Sequence, residues 1–270
     1  MTLLHLFLVA IIQGVTEFLP VSSSGHLILL PLLTGLPDQG QVVDVAVHVG
    51  TLFAVVIYFR HDVALAIGGI PNLLRGKIDT PGARLMFLLI VATVPVVVLG
   101  LILELADLTD SLRSITVIGW AMLLFGLVLY WVDQKGAQKR VTPEWTLKHA
   151  LIMGVWQAIA LIPGTSRSGA AISGARALGY KREDAARLSM LMSIPTISAS
   201  GILLGAEVFY TADAQAARDG AIAAVLAFGA ALLALTLMMR LLKSVSFTPY
   251  VVYRVLLGVV LLAIGYSGQV

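Results

Sequence analysis

The residues best able to do chemistry lie in one stretch near the N-terminus, from Gln13 to His26, which reads QGVTEFLPVSSSGH. It sets a carboxylate, Glu17, three consecutive serines and an imidazole between two apolar segments. Ionisable groups are costly in membrane-buried sequence, so their presence there indicates a functional site. A carboxylate or an imidazole can take the proton of a serine hydroxyl, which would make that serine a nucleophile.

The same pattern returns further along the chain, shifted by 144 positions from residue 22 to residue 166. Residues Thr2, Leu3, His5, Gln13, Ser22, Ser24, Gly25 and Ile28 match Thr146, Leu147, His149, Gln157, Ser166, Ser168, Gly169 and Ile172. The chain therefore contains an internal duplication, and we expect its site to be built from both copies.

The two serine runs predict an anion site. Each run follows a proline, Pro20 or Pro163, and precedes a new apolar segment, so it is expected to begin a helix. Serine caps helix starts, and glycine lets a ligand approach the backbone. Two helix N-termini at a shared cavity would bind an anion through free N–H groups and the helix dipole. Capping alone would explain one such loop, but the occurrence of two favours the anion site.

Arg167 replaces the middle serine in the second copy. A guanidinium in apolar surroundings must be paired, and its fork geometry matches phosphate or carboxylate. The alternative is a structural ion pair with Glu17. Both interpretations hold if a ligand displaces that pair.

In the second copy the position equivalent to Glu17 is occupied by Leu161. The carboxylate is therefore needed only once, as a general base, a metal ligand or a charge partner. Gln13 lies one helical turn before it on the same face, although Gln157 makes a packing role equally consistent. His26 could be a general acid, a base, a nucleophile or a satisfied core residue, and its closeness to the serines favours function. The two histidines His48 and His61 are assigned no role.

The composition is that of a polytopic helical membrane protein. Of the 270 residues, 59% are hydrophobic and 12% are charged. The net charge of +3 is small and dispersed, which argues against a nucleic-acid surface. The chain has no cysteine, so disulfide and thiolate chemistry are excluded. The sequence contains no glycine-rich nucleotide-binding loop, so nothing in it indicates ATP coupling.

The apolar segments predict two pairs of short helices and six membrane spans. The first pair is Leu3–Leu19 with Ser22–Thr34, and the second is Trp145–Ile162 with Ser168–Leu178. A bilayer needs roughly 20 residues, so each pair is expected to re-enter on one side. The predicted spans are Val42–Phe59, Leu85–Leu105, Ile115–Val132, Ala185–Val208, Ala221–Leu242 and Tyr250–Tyr266.

The predicted fold is an all-α integral membrane protein with an inverted-topology repeat. Residues 1–132 form the first repeat, 133–144 a cytoplasmic linker and 145–270 the second repeat. Three crossings in each half invert the second copy, and such repeats place their sites near the membrane midplane. The spacing Gly201-x3-Gly205 permits close helix packing and is weak support for a homodimer.

Basic residues predict the orientation. Opposite the linker side, only Arg113 and Arg218 lie in loops. The linker side carries Arg60, Arg75, Lys77, Arg84, Lys135, Lys139, Arg140, Lys148, Lys181, Arg182, Arg187, Arg240 and Lys243. By the positive-inside rule the linker side is cytoplasmic, and both termini face outward.

Two motifs, EFLPVSSSGH at residues 17–26 preceded by Gln13 and PGTSRSG at residues 163–169, resemble the signatures of the bacterial undecaprenyl-diphosphate phosphatases of the bacitracin-resistance type. The resemblance covers essentially the whole chain. It implies removal of the terminal phosphate of undecaprenyl diphosphate, which recycles the lipid carrier for cell-wall synthesis in the bacterial plasma membrane. It also implies a divalent cation, Mg²⁺ or Ca²⁺, and a site open to the outer face.

The resemblance places the catalytic positions on Glu17, Ser23, His26 and Arg167, with Glu17 also the candidate metal ligand. The family's first motif, Glu or Gln followed four residues later by Glu, is present in its Gln form at Gln13. The expected substrate-binding positions are Gln13, Ser22, Ser24, Gly25, Gly164, Thr165, Ser166, Ser168 and Gly169.

We therefore expect a phosphatase acting on a polyprenyl diphosphate lipid. Ser23 is the predicted nucleophile, with His26 or Glu17 taking its proton; attack by His26 or by water stays open. The rival is a transporter or flippase for an anionic polyprenyl lipid, since inverted repeats with broken helices are transporter architecture. A pure carrier would need Arg167 and the helix starts but has no use for Glu17, His26 and a serine together.

Overall fold

A computed structural model describes residues 1–106, 108, 112–211 and 214–267, with the side chains of 32, 33 and 203–211 left out. Within these ranges the chain is helical throughout, apart from connecting turns and one isolated β-bridge. The helices are α1 Leu3–Thr16, α2 Ser23–Thr34, α3 Gly40–Tyr58, α4 Arg60–Gly68, α5 Ile70–Leu74, α6 Pro81–Leu105, α7 Ile115–Lys135, α8 Leu147–Ile159, α9 Arg167–Ala177, α10 Arg182–Thr211, α11 Ala214–Leu241 and α12 Thr248–Tyr266. The predicted all-α class is confirmed.

Among the described residues, five helices are long and apolar enough to cross a membrane: α3, α6, α7, α11 and α12. The remaining predicted span, Ala185–Val208, lies within the 30-residue α10, which is not one of the five. Its described part is more polar and turns hydroxyls such as Ser189 and Ser193 into the protein interior. The two short helices α4 and α5 lie in the region between the first two predicted spans, where the sequence indicated no helix.

Two pairs of short helices, α1–α2 and α8–α9, carry the repeated motifs. Thr2 accepts a hydrogen bond from the backbone of His5 at the start of α1, at 3.3 Å. Thr146 does the same for His149 at the start of α8, at 3.2 Å. The helices have 14, 12, 13 and 11 residues, each shorter than the roughly 20 that a bilayer requires.

The first short helix of each copy packs against a long helix of the other copy. Helix α1 lies on α11, and α8 lies on α6. A Cβ at Gly14 of α1 would come within 2.7 Å of the Ala227 carbonyl oxygen, and one at Gly154 of α8 within 2.5 Å of the Ala92 carbonyl oxygen. Only glycine permits such approach of two backbones, so these positions fix how the copies interlock.

The first residue of the predicted linker, Asp133, is not in a loop. It lies inside α7 and is fully buried. One oxygen of its carboxylate accepts hydrogen bonds from Nε of Arg176 and of Arg182, each at 2.9 Å. The other oxygen accepts from the backbone N–H of Phe247 at 3.2 Å. The buried charge is therefore well paired, and it joins α7 to the ends of α9 and α10 and to the start of α12.

Candidate active site

The two serine loops give α2 and α9 the same unusual start. Ser22 and Ser166, which precede these helices, have φ of 71° and 70°, in the left-handed region that non-glycine residues rarely adopt. In each loop the side-chain oxygen of this serine lies 3.1 Å from that of the serine two residues later, Ser24 or Ser168. Backbone strain repeated at equivalent positions is typical of functional sites.

Each loop also bonds to the other. The backbone N–H of Gly164 donates to the hydroxyl of Ser24 at 3.3 Å, and the hydroxyl of Ser168 donates to the Leu19 carbonyl at 3.0 Å. Ser166 caps α9 by accepting from the Gly169 N–H at 3.1 Å. These serines thus shape the paired loops.

A cavity of about 170 Å³ opens where the loops meet. Its lining is almost entirely polar: Glu17, Ser22, Ser23, Ser24, His48, Ala160, Ser166 and Arg167. Both copies contribute to it, which brings together the sequence-predicted groups Glu17, Ser23 and Arg167.

Glu17 is the centre of this arrangement and is 8% exposed. One carboxylate oxygen accepts from Nη2 of Arg167 at 2.6 Å. The other accepts from the amide of Gln13 at 2.8 Å and from the hydroxyl of Ser23 at 3.0 Å. Hydrogen bonds to a carboxylate stabilise its charged form, so Glu17 is held ionised with a serine proton aimed at it.

Arg167 keeps part of its hydrogen-bonding capacity free. Nη2 is bound to Glu17, whereas Nη1 is buried and has no partner among the described residues. Buried donors are nearly always satisfied, and Arg167 lines the polar cavity, so the unpaired Nη1 makes this side chain a candidate partner for a ligand or ordered water there. Arg167 begins α9, and the helix start adds its positive end to the same place.

His26 lies outside the group that lines the cavity. Its Nδ1 is 2.7 Å from the Ser22 carbonyl, and its Nε2 is 2.6 Å from the Tyr253 hydroxyl, with the two rings stacked. A carbonyl can only accept, so Nδ1 carries a proton, and in the neutral ring Nε2 then accepts from the tyrosine hydroxyl. The imidazole therefore ties the first loop to α12, and Glu17 is the group that faces the Ser23 hydroxyl.

The glycines and Thr165 support the loops from behind. A Cβ at Gly25 would lie 2.7 Å from the Met122 sulfur, and one at Gly169 would lie 2.7 Å from Nη1 of Arg254. Thr165 is fully buried. The missing Cβ atoms make room for α7 and α12, which differs from the expectation that glycine there admits a ligand.

His48 was assigned no role from the sequence, yet it lines the cavity. Its Nδ1 lies 2.7 Å from the Asp44 carbonyl, and its Nε2 lies 3.9 Å from Glu17. An imidazole inside a predicted span was the available signal, because intramembrane ionisable residues indicate function. The same signal is present at Arg254, which lies inside the predicted span Tyr250–Tyr266.

The cavity offers one carboxylate for a metal ion. No group of three or more His, Cys, Asp or Glu side chains suited to a metal occurs in the part of the chain that the structure describes. Mg²⁺ is commonly bound by one or two carboxylates together with substrate phosphates and water. The donor set thus fits a cation that arrives with a phosphate ligand.

Comparison with known proteins gives matches over nearly the whole chain. A family model described as "Bacitracin resistance protein BacA" matches residues 6–260. Curated proteins named undecaprenyl-diphosphatase from Dinoroseobacter shibae and Ruegeria pomeroyi are 70% and 69% identical over 267 residues, covering 99% of this chain and 100% of each relative. One from Chromohalobacter salexigens is 46% identical over 260 residues, covering 96% of this chain and 97% of the relative.

Proposed function

The chain belongs to the bacitracin resistance protein BacA family, and we infer that it is a multi-pass membrane undecaprenyl-diphosphatase. It hydrolyses undecaprenyl diphosphate to undecaprenyl phosphate and inorganic phosphate, which recycles the lipid carrier. The observation that carries this function is the cavity in which a serine donates its hydroxyl proton to an ionised carboxylate beside an arginine with a free N–H.

We propose that Ser23 is the nucleophile. Its oxygen attacks the terminal phosphorus, and its proton passes to Glu17, to which it is already hydrogen-bonded at 3.0 Å. The anhydride bond breaks, undecaprenyl phosphate departs with the proton that Glu17 had taken, and a phosphoserine remains. Water then attacks that phosphorus and gives a proton to the ionised Glu17, which passes it to the Ser23 oxygen as the serine–phosphorus bond breaks and inorganic phosphate is released.

Arg167 and the start of α9 bind the phosphate being transferred. The free Nη1 offers a first donor, and Nη2 becomes a second when it releases Glu17. A guanidinium presents these donors in a fixed fork that matches two phosphate oxygens. His26 holds the backbone of the first loop through Ser22, which positions Ser23.

A divalent cation, Mg²⁺ or Ca²⁺, would be held by Glu17 together with the diphosphate oxygens. When bound, it would offset negative charge on the transferring phosphoryl group. The residues of the chain provide the rest: Gln13 fixes the carboxylate, and the serine loops orient the headgroup.

We propose that the two copies form an inverted repeat with re-entrant helix pairs. Matched caps on α1 and α8, nearly equal φ values at Ser22 and Ser166, and the packing of α1 and α8 on the other copy support this arrangement. The asymmetry of Lys and Arg supports a cytoplasmic 133–144 linker and outward termini. A site open to the outer face is proposed on the family resemblance alone. A homodimer stays a prediction.

The orientation is tested by single cysteines, because the chain has none of its own. Gln138 lies in the linker and Gln215 in the first turn of α11, and both are exposed. In intact cells we expect a membrane-impermeant thiol reagent to label Gln215→Cys, whereas Gln138→Cys should react only after permeabilisation. The reverse pattern would overturn the orientation.

An assay of phosphate release distinguishes a phosphatase from a transporter. Purified protein in detergent should release inorganic phosphate from a short polyprenyl diphosphate, and a chelator should suppress the release if a divalent cation takes part. Adding back Mg²⁺ or Ca²⁺ should restore it. A protein that binds the lipid but releases no phosphate under any cation condition would instead be a transporter or flippase.

A further inference from the structure

Arg254 of α12 lies behind both serine loops, and the proposed function does not use it. Its side chain is 0% exposed. Nη1 donates to the Pro20 carbonyl at 3.3 Å, and Nη2 donates to the carbonyls of Gly164 and Thr165 at 3.1 and 2.8 Å. Pro20 belongs to the first loop, and Gly164 is its counterpart in the second. One side chain therefore joins the two halves of the site.

The charge of Arg254 is buried, and no acidic side chain among the described residues is paired with it. Within the described ranges its hydrogen bonds all go to carbonyl oxygens, and its Nε has no partner. Burying a cation in this way costs free energy, because carbonyl dipoles replace water only in part. If this position served packing alone, an apolar side chain would be buried at a lower cost in free energy.

In the first copy the equivalent place is occupied by an apolar side chain. Met122 of α7 packs against Gly25 as Arg254 of α12 packs against Gly169, each within 2.7 Å of where a Cβ would be. An apolar side chain thus suffices to fill the space behind the first loop. The guanidinium behind the second loop must do something that packing does not require.

The position of Arg254 explains what its charge can do. Gly169 is in the first turn of α9, so the guanidinium lies directly behind the helix start that Arg167 begins. A positive charge there adds to the helix dipole, and in buried surroundings it is weakly screened. Its three carbonyl bonds also hold the two loops at a fixed spacing.

We propose that Arg254 is a positioning residue of this site. It fixes the spacing of the two serine loops and raises the positive potential of the cavity, so that Ser23 and Arg167 meet one phosphate. It touches no substrate. This inference rests on the proposed function, in which the cavity receives the terminal phosphate.

The test compares Arg254→Met and Arg254→Lys with the unchanged protein, each purified in detergent. The dissociation constant of inorganic phosphate is measured by calorimetry, and the unfolding temperature is measured beside it. We expect Arg254→Met to weaken phosphate binding by about 10-fold or more, the low end for loss of a charge-assisted interaction. Arg254→Lys should fall between, because an ammonium keeps the charge but cannot bridge three carbonyls of two loops.

Arg176→Lys is the matched control, since it changes a second fully buried arginine at the other end of α9. It should lower the unfolding temperature and leave phosphate binding unchanged. A folded Arg254→Met with an unchanged dissociation constant would overturn the proposal, because a merely structural role predicts that result. If Arg254→Met does not fold, weaker binding by Arg254→Lys supports the proposal and unchanged binding overturns it.

The experiments distinguish failure of the proposed function from failure of the role proposed for Arg254. If the unchanged protein releases no phosphate from a polyprenyl diphosphate yet binds phosphate in a way that depends on Arg254, the phosphatase assignment is wrong and the role of Arg254 stands. If it releases phosphate and the Arg254 variants bind phosphate normally, only the role of Arg254 is wrong.

Discussion

Ser23→Ala should reduce turnover by about 1,000-fold or more, the scale for loss of an activated nucleophile. In the proposed mechanism the serine oxygen forms the bond to phosphorus, so neither Arg167 nor the helix starts can replace it. Binding should change little, because the hydroxyl bonds to Glu17 and the phosphate is held by other groups. Single-turnover phosphate release and the dissociation constant of inorganic phosphate, measured on the same preparation, separate the two effects.

Ser193→Ala is the control for Ser23→Ala. Ser193 is also a buried serine, and its hydroxyl donates to the Met190 carbonyl within α10. Its loss removes one hydrogen bond remote from the cavity lining, so turnover should stay near normal. If Ser23→Ala also keeps most of its turnover, Ser23 is not the nucleophile, and His26 or water takes that role.

Arg167→Ala should lower kcat/KM by about 100-fold or more. A charge-assisted hydrogen bond contributes roughly 1.5–3 kcal/mol, and a bidentate contact lies at the upper end. At about 1.4 kcal/mol per factor of ten, this gives two decades. Arg167→Lys should recover part of the loss, because a point charge cannot reproduce the fork. Steady-state kinetics with a short polyprenyl diphosphate measure both variants.

Arg187→Ala controls for the loss of an arginine ion pair elsewhere. Arg187 pairs with Asp62 and is 41% exposed, so its removal should barely change kcat/KM. Equal losses in Arg167→Ala and Arg187→Ala would mean that the effect comes from general destabilisation and that Arg167 does not bind the phosphate.

The sequence predicted the long helices because apolar length is a local pattern, and it predicted the meeting of the loops because their motif is repeated in the two copies. Apolar length defines α3, α6, α7, α11 and α12. The repeated Ser-x-Ser-Gly defines two equivalent helix starts, and the lone arginine and glutamate in these motifs had to be paired. The predicted alternative, a Glu17–Arg167 ion pair, is present at 2.6 Å.

The environment of the loops could not be read from the same pattern. His48, Tyr253 and Arg254 come from α3 and α12, far along the chain from the serines, and only tertiary packing brings them near. His26 shows the same limit: its closeness to Ser23 in sequence predicted a shared proton, whereas Tyr253 turns the ring toward α12. Local spacing defines the loops, but the helices behind them decide where each side chain points.

The pairing of Glu17 with Arg167 has a consequence for the end of the catalytic cycle. Without ligand, the two charges satisfy each other, so the guanidinium has an alternative partner whenever phosphate loosens its hold. The carboxylate thereby acts as a competitor tethered inside the enzyme, always present at high effective concentration. If Arg167 holds the phosphate as proposed, we expect re-formation of the ion pair to speed the departure of inorganic phosphate. Product inhibition should then be weak, whereas the incoming diphosphate can make more contacts than a single phosphate.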